Sequence, residues 1–200
     1  MKHIAITGGI GSGKSYVCRL LGQRGISVYD CDAAAKRLMR TSPQLRRQLI
    51  SLIGPEAYLA VKGEQEEAAG YVLNKAAVAQ FLLASEEHAR AIDDIVHPAV
   101  AADFLESGQQ WLESAILFQS GFDRRVPLDT VIVVTAPEEV RISRVMQRDG
   151  ITRAKACEWI ARQWPQDAIR QRAHYEIIND GQQPLLPQIE KIIQTCNRPF

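Results

Sequence analysis

Apolar and polar positions change period several times along the chain, and each change marks an element. Residues 3–7 form a short β-favouring run that ends in glycines, and residues 14–22 repeat apolar side chains at helical spacing. The chain therefore opens as strand, glycine-rich loop and helix. Residues 27–30 read as a second strand. A helical pattern over 33–40 stops before Thr41-Ser42-Pro43, an N-cap followed by proline at the first helical position, and a second helix runs to about Ile53. Gly54-Pro55 breaks the pattern, and up to Gly70 no period is evident. Residues 74–106 are alanine-rich and helix-favouring, with one interruption expected at His97-Pro98 and hence two or more helices.

Strand patterns return over 111–118 and 130–135. The second of these is apolar on both parities, as suits a strand covered on both faces of a parallel sheet. Pro137 ends it and opens a helix to Arg148; a last strand over 175–178 leads into Asn179-Asp180-Gly181 and a terminal helix from about Pro184. Five strands separated by helices predict an α/β three-layer domain with a five-stranded parallel sheet. The expected organisation is one domain over 1–200, its core at about 1–53 and 110–200, with a helical insertion at about 54–109 and a lid at about 149–165.

Composition narrows the function classes. In 200 residues, 24 Lys and Arg stand against 23 Asp and Glu, so no field of one sign extends over the molecule. A general binder of nucleic acid or of an anionic membrane is not expected, nor is an obligate protein partner evident. No run of about 18 apolar residues appears, and the four cysteines are scattered without a CxxC pair or zinc-finger spacing. The reading is a chain of the reducing cytoplasm. Between residues 86 and 113, Glu86, Glu87, Asp93, Asp94, Asp103, Glu106 and Glu113 face one basic residue, Arg90, which reads as a solvated acidic face.

The strongest chemical signal is Gly8-Gly9-Ile10-Gly11-Ser12-Gly13-Lys14-Ser15, which satisfies GxxxxGK[ST] between a strand and a helix. Glycines permit backbone angles closed to other residues, so successive N–H groups can turn inward around phosphate oxygens at a positive helix N-terminus. The expected nucleotide contacts are Gly9, Gly11, Ser12, Gly13, Lys14, Ser15 and Tyr16. Lys14 would neutralise charge between the β- and γ-phosphates of ATP, and the Ser15 hydroxyl would coordinate Mg²⁺.

Such a loop serves switch GTPases, motor ATPases and small-molecule kinases alike. No Asn-Lys-x-Asp guanine-reading pattern is present, because Asn74-Lys75 is followed by Ala76-Ala77. Nor does Ile132-Val133-Val134 end in a carboxylate. The acidic partner is instead expected from Asp30-Cys31-Asp32, after the second strand, at the sheet edge where ligands sit in doubly wound folds. Either aspartate would also serve as an N-cap; Asp32 is the expected catalytic carboxylate. Arg141, Arg144 and Arg148 recur at helical spacing, followed by Arg153 and Arg162, and guanidinium groups of this kind complement the charge of a transferring phosphoryl group. Of these, Arg148 stands beside Asp149-Gly150, an expected hinge, and is taken as the catalytic arginine.

At these residues the sequence resembles the dephospho-CoA kinase family, over nearly the whole chain. The stretch Ile6-Thr7-Gly8-Gly9-Ile10-Gly11-Ser12-Gly13-Lys14-Ser15 is similar to the family's version of the loop, and Asp30-Cys31-Asp32 to its Asp-x-Asp, whose second aspartate is assigned as catalytic base. His97-Pro98 with Val100 resembles its His-Pro motif, Leu117-Phe118 its strand-end Leu-Phe-Glu, Gln147-Arg148-Asp149-Gly150 with Gln163 its lid, and Asn179-Asp180-Gly181 its turn near the adenine. Gln119 stands where the family commonly has Glu, Ala101 where an arginine often follows the His-Pro motif, and His174 where an Ala-Asp pair is usual.

The resemblance implies transfer of the γ-phosphoryl group of ATP to the 3′-hydroxyl of dephospho-CoA with Mg²⁺ required. It also implies acceptor contacts from Asp32, His97, Leu117 and Phe118, and a nucleotide contact from Asn179. The residues are also compatible with two other readings: a shikimate- or nucleoside-monophosphate-type kinase of the same fold, and a nucleotide-binding regulator without turnover.

Overall fold

The computed structural model describes residues 2–61 and 70–196. The chain divides into two compact units, one formed by residues 1–30 and 107–200, the other by residues 31–106.

The first unit is built on a five-stranded parallel sheet. Its strands are β1 (Ile4–Thr7), β2 (Val28–Asp30), β5 (Trp111–Glu113), β6 (Thr130–Thr135) and β7 (Tyr175–Ile178), in the order β2-β5-β1-β6-β7. Alternate side chains divide between the two faces. Ile4, Ile6, Ile132, Val134 and Ile177 pack with Val17, Leu20 and Leu21 of α1 (Lys14–Gly22) and with Ile189 and Ile192 of α9 (Leu185–Cys196). Val131 and Val133 lie at the other parity and are also buried, as the doubly apolar run of β6 requires. A separate small core joins α6 (Glu138–Asp149) to α7 (Arg153–Ala161) through Ile142, Val145 and Ala156.

All five expected strands form, but the third is shorter than expected. β5 stops at Glu113, and residues 114–121 turn back on themselves through bonds such as Ser120 N–H to Ile116 O and Phe122 N–H to Leu117 O. In this turn, Leu117 and Phe118 are buried without a strand partner. His174 fixes the register at the start of β7, because its backbone N–H donates to Val131 O while its Nδ1 accepts from Val131 N at 2.9 Å.

The second unit comprises α2 (Cys31–Thr41), α3 (Pro43–Ile53), a hairpin of β3 (Tyr58–Val61) and β4 (Gly70–Leu73), α4 (Lys75–Ala84) and α5 (Glu86–Glu106). Ser42 caps α3 by accepting from Leu45 N, with Pro43 at the first position as the sequence predicts. The antiparallel hairpin occupies part of the stretch that has no evident period.

The helix break expected at His97-Pro98 is not there. It falls at Ser85, which is extended and whose hydroxyl accepts from His88 N, and α5 continues through Pro98 for 21 residues. Proline inside a helix costs about 3 kcal/mol. Ile92, Val96, Val100, Ala101 and Phe104 are all buried along this helix, and large side chains of this kind each contribute about 1.5–3 kcal/mol. The buried stripe outweighs the lost hydrogen bond.

Candidate functional site: a phosphate-binding loop at the sheet edge

The loop between β1 and α1 is shaped by its glycines and held from outside by the side chains of Arg141, Arg144, Asn179 and Gln163. Gly11 and Gly13 have φ of 79° and 92°, and Gly13 sits directly before the first turn of α1. A Cβ on Gly11 would meet the backbone of Arg141, and one on Gly13 the amide of Asn179, so both positions need hydrogen as the side chain. Ser12 N–H closes the turn onto Gly9 O, so that amide is spent within the loop. Arg141 donates from Nε to Ile10 O at 3.0 Å, and Arg144 from Nη1 to Gly11 O and Ser12 O, each at 3.4 Å. Asn179 donates from Nδ2 to Ser12 O at 2.8 Å and accepts from Arg144 at 3.3 Å.

These contacts sort the arginine cluster. Arg141 is buried, and burial holds its guanidinium below the usual arginine range. Together with Arg144 it lies against the phosphate loop. Arg148 does not: it sits on the exposed last turn of α6 and makes a two-pronged pair with Asp149, which raises its own pKa and lowers that of Asp149. Helical spacing alone puts all three on a common face; the structure gives the loop contacts to the first two.

Lys14 is nearly buried, and its Nζ lies 3.4 Å from Oε1 of Glu113, the last residue of β5. The sequence pattern groups Glu113 with a solvated acidic face. Instead its side chain is only 13% exposed. Parallel pairing sets Glu113 beside Ile6 of β1 on one side and Asp30 of β2 on the other, so the carboxylates of Glu113 and Asp30 belong to neighbouring C-terminal strand ends. The signal for this residue is Trp111-Leu112 followed by an acid, a very short version of an apolar strand ending in a carboxylate.

Tyr16 is exposed, with Arg19 stacked 4.9 Å over its ring. Leu117 has no exposed surface and Phe118 almost none; both lie in the turn after β5, where they line a small pocket with Thr7 and Gln163. Asp32 stands in the first turn of α2 in the second unit, where a negative charge complements the helix dipole. His97 lies in the middle of α5 with Nε2 3.5 Å from Asp93 Oδ1. A cleft of about 320 Å³ in the second unit is lined by Ser42 and Gln48 of the α3 region and by Asp94 and Pro98 of α5.

A parallel sheet whose first strand runs through a glycine-rich GxxxxGKS loop into a helix, with arginines of a later helix against that loop, defines a P-loop kinase fold. A shikimate kinase from Acinetobacter baumannii bound to shikimate shares this fold, with a TM-score of 0.53 at 16% identity over 98% of this chain and 93% of that one.

The sequence model of dephospho-CoA kinase matches residues 2–184. A dephospho-CoA kinase of Bacteroides fragilis is 38% identical over 95% of this chain and 90% of its own length, and that of Porphyromonas gingivalis 37% identical over 98% and 94%. A solved protein from Thermus thermophilus superposes with a TM-score of 0.79 at 31% identity, covering 99% of this chain and 98% of that one. The chain belongs to the dephospho-CoA kinase family.

Proposed function

We propose that the chain transfers the γ-phosphoryl group of ATP to the 3′-hydroxyl of dephospho-CoA, yielding CoA and ADP. The observation that supports this most is the combination of the family match over residues 2–184 with a phosphate loop whose lysine is paired with a strand-end carboxylate.

Residue roles follow from the chemistry. Backbone N–H groups at the start of α1 hold phosphate oxygens, aided by the positive end of the helix dipole. Lys14 leaves Glu113 for the β- and γ-phosphates, and Arg144, already held at Gly11 and Ser12, stabilises charge on the equatorial oxygens. Asp32 accepts the proton of the attacking 3′-hydroxyl as its oxygen bonds to the γ-phosphorus and the bond from that phosphorus to the ADP oxygen breaks. The helices of the second unit take the acceptor, and the α7 region acts as the lid that excludes water.

Mg²⁺ fits the donor set. Among the described residues no group of three or more His, Cys, Asp or Glu gathers into a metal cage. Hydroxyl and carboxylate oxygens at Ser15 and Glu113 suit a hard cation that takes most of its ligands from phosphate and water. When bound, Mg²⁺ would draw charge from the phosphate oxygens. Ser15 would contact it directly and Glu113 through water.

The test is product identity. Incubation with ATP, Mg²⁺ and dephospho-CoA should convert the acceptor to a species heavier by one phosphoryl group that co-elutes with CoA. An acceptor left unmodified while ATP is bound would contradict the reading.

A further inference from the structure

We infer that Gln119 is a positioning residue, whose side-chain amide latches residues 162–164 and, through Gln163, sets the phosphate loop. The inference rests on the kinase reading above for its effect on turnover, and on geometry for the latch itself.

Both ends of the Gln119 amide are used. Nε2 donates to Arg162 O and Oε1 accepts from Trp164 N, each at 3.3 Å. The residue between those two backbone groups is Gln163, whose Oε1 accepts from Ile10 N at 2.6 Å. Arg141 Nε donates to the carbonyl of the same Ile10, and the Ile10 side chain packs on the Ile142, Val145 and Ala156 core. Ile10 is thus gripped at its N–H, its C=O and its side chain. A Cβ on Gly9 would meet Arg141 Nη2 at 2.5 Å and Gln163 Oε1 at 3.3 Å, so a side chain there would push on both of these contacts.

The two bonds run in opposite senses, so the side chain must carry a donor and an acceptor together at its tip, as a primary amide does. A carboxylate at 119 keeps the acceptor for Trp164 N but sets negative charge against Arg162 O. A thioether of similar length makes neither bond. Without the latch, the 162–164 backbone loses its tie to the turn after β5, and Gln163 is no longer held against Ile10.

The experiment compares wild type with Gln119→Met and Gln119→Glu in the full-length protein, in two readouts. Amide hydrogen exchange, followed by NMR without nucleotide, should show the Ile10 and Trp164 amides exchanging faster in Gln119→Met, with Trp164 protection retained in Gln119→Glu. In steady-state kinetics, Gln119→Met should raise KM for ATP about 5- to 10-fold, the effect of losing two exposed hydrogen bonds, while KM for dephospho-CoA stays within about twofold. A residue that only stabilises the fold would lower the melting temperature without separating the two KM values. Unchanged Ile10 exchange in Gln119→Met, or equal changes in both KM values, would overturn the latch. Failure of the wild-type protein to use dephospho-CoA would overturn the proposed reaction while leaving the exchange result to decide on the latch.

Discussion

Lys14 Nζ and Glu113 Oε1 sit 3.4 Å apart at the edge of the sheet, with both side chains almost out of solvent. Taking one partner away from such a pair leaves a buried charge uncompensated, which costs more than losing both. Lys14→Met should therefore destabilise the nucleotide-free protein, and Lys14→Met with Glu113→Gln should recover part of the loss. The coupling in a double-mutant cycle is expected at about 1–3 kcal/mol, measured by urea unfolding. Additive effects of the two changes would mean that the pair has no energetic weight.

Asp32 should be needed for chemistry more than for nucleotide binding. Asp32→Asn keeps the shape and removes the base, so kcat should fall at least ~10²-fold while the ATP dissociation constant holds. Calorimetry and turnover on the same preparation separate the two, and retained turnover would assign the base elsewhere.

The arginines divide by what they touch. Arg144 bonds Gly11, Ser12 and Asn179, whereas Arg148 is committed to Asp149. Losing charge-assisted bonds of about 1.5–3 kcal/mol at the loop, Arg144→Met should lower kcat/KM about 10²-fold. Arg148→Met should change it less than about threefold. The reverse order would place Arg148 at the transferring phosphoryl group.

Cys18 gives a prediction at alkaline pH. Burial, and next the nearby Glu113 charge, push its thiol from 9.0 up to about 12. Below pH 9 the thiol is protonated whether the chain is folded or not, so its contribution to stability is fully present. As the pH rises from 9 towards 12 the unfolded chain loses the proton and the folded one keeps it, so stability falls. The drop in urea midpoint between pH 8 and pH 10 should be smaller in Cys18→Ala than in wild type. An identical drop in both would place the alkaline titration on other groups.

Much of the molecule is readable from the pattern of residues. The strand, loop and helix around Lys14 are a local signal, because glycines, lysine and serine at fixed spacing dictate backbone and chemistry together, and all five parallel strands stand where short β-favouring runs suggest them. What stays hidden depends on tertiary neighbours. Glu113 looks like one more surface acid until β5 pairs between β1 and β2. Pro98 looks like a helix end until the burial of Val96, Val100 and Phe104 is included. Arg148, expected as the catalytic arginine beside the hinge at Asp149-Gly150, is bonded to that same Asp149, a pairing that helical spacing does not reveal. Ala101 and His174, departures from the family pattern, fill a buried helix face and fix a strand register.

Acceptor choice is tested most directly by ADP release at saturating ATP and Mg²⁺ with dephospho-CoA as acceptor, set beside AMP and shikimate. The rate with dephospho-CoA is expected well above the ATPase background, and the rates with AMP and shikimate no higher than that background. A rate with dephospho-CoA no higher than that background, or faster turnover of AMP or shikimate, would contradict the proposed reaction.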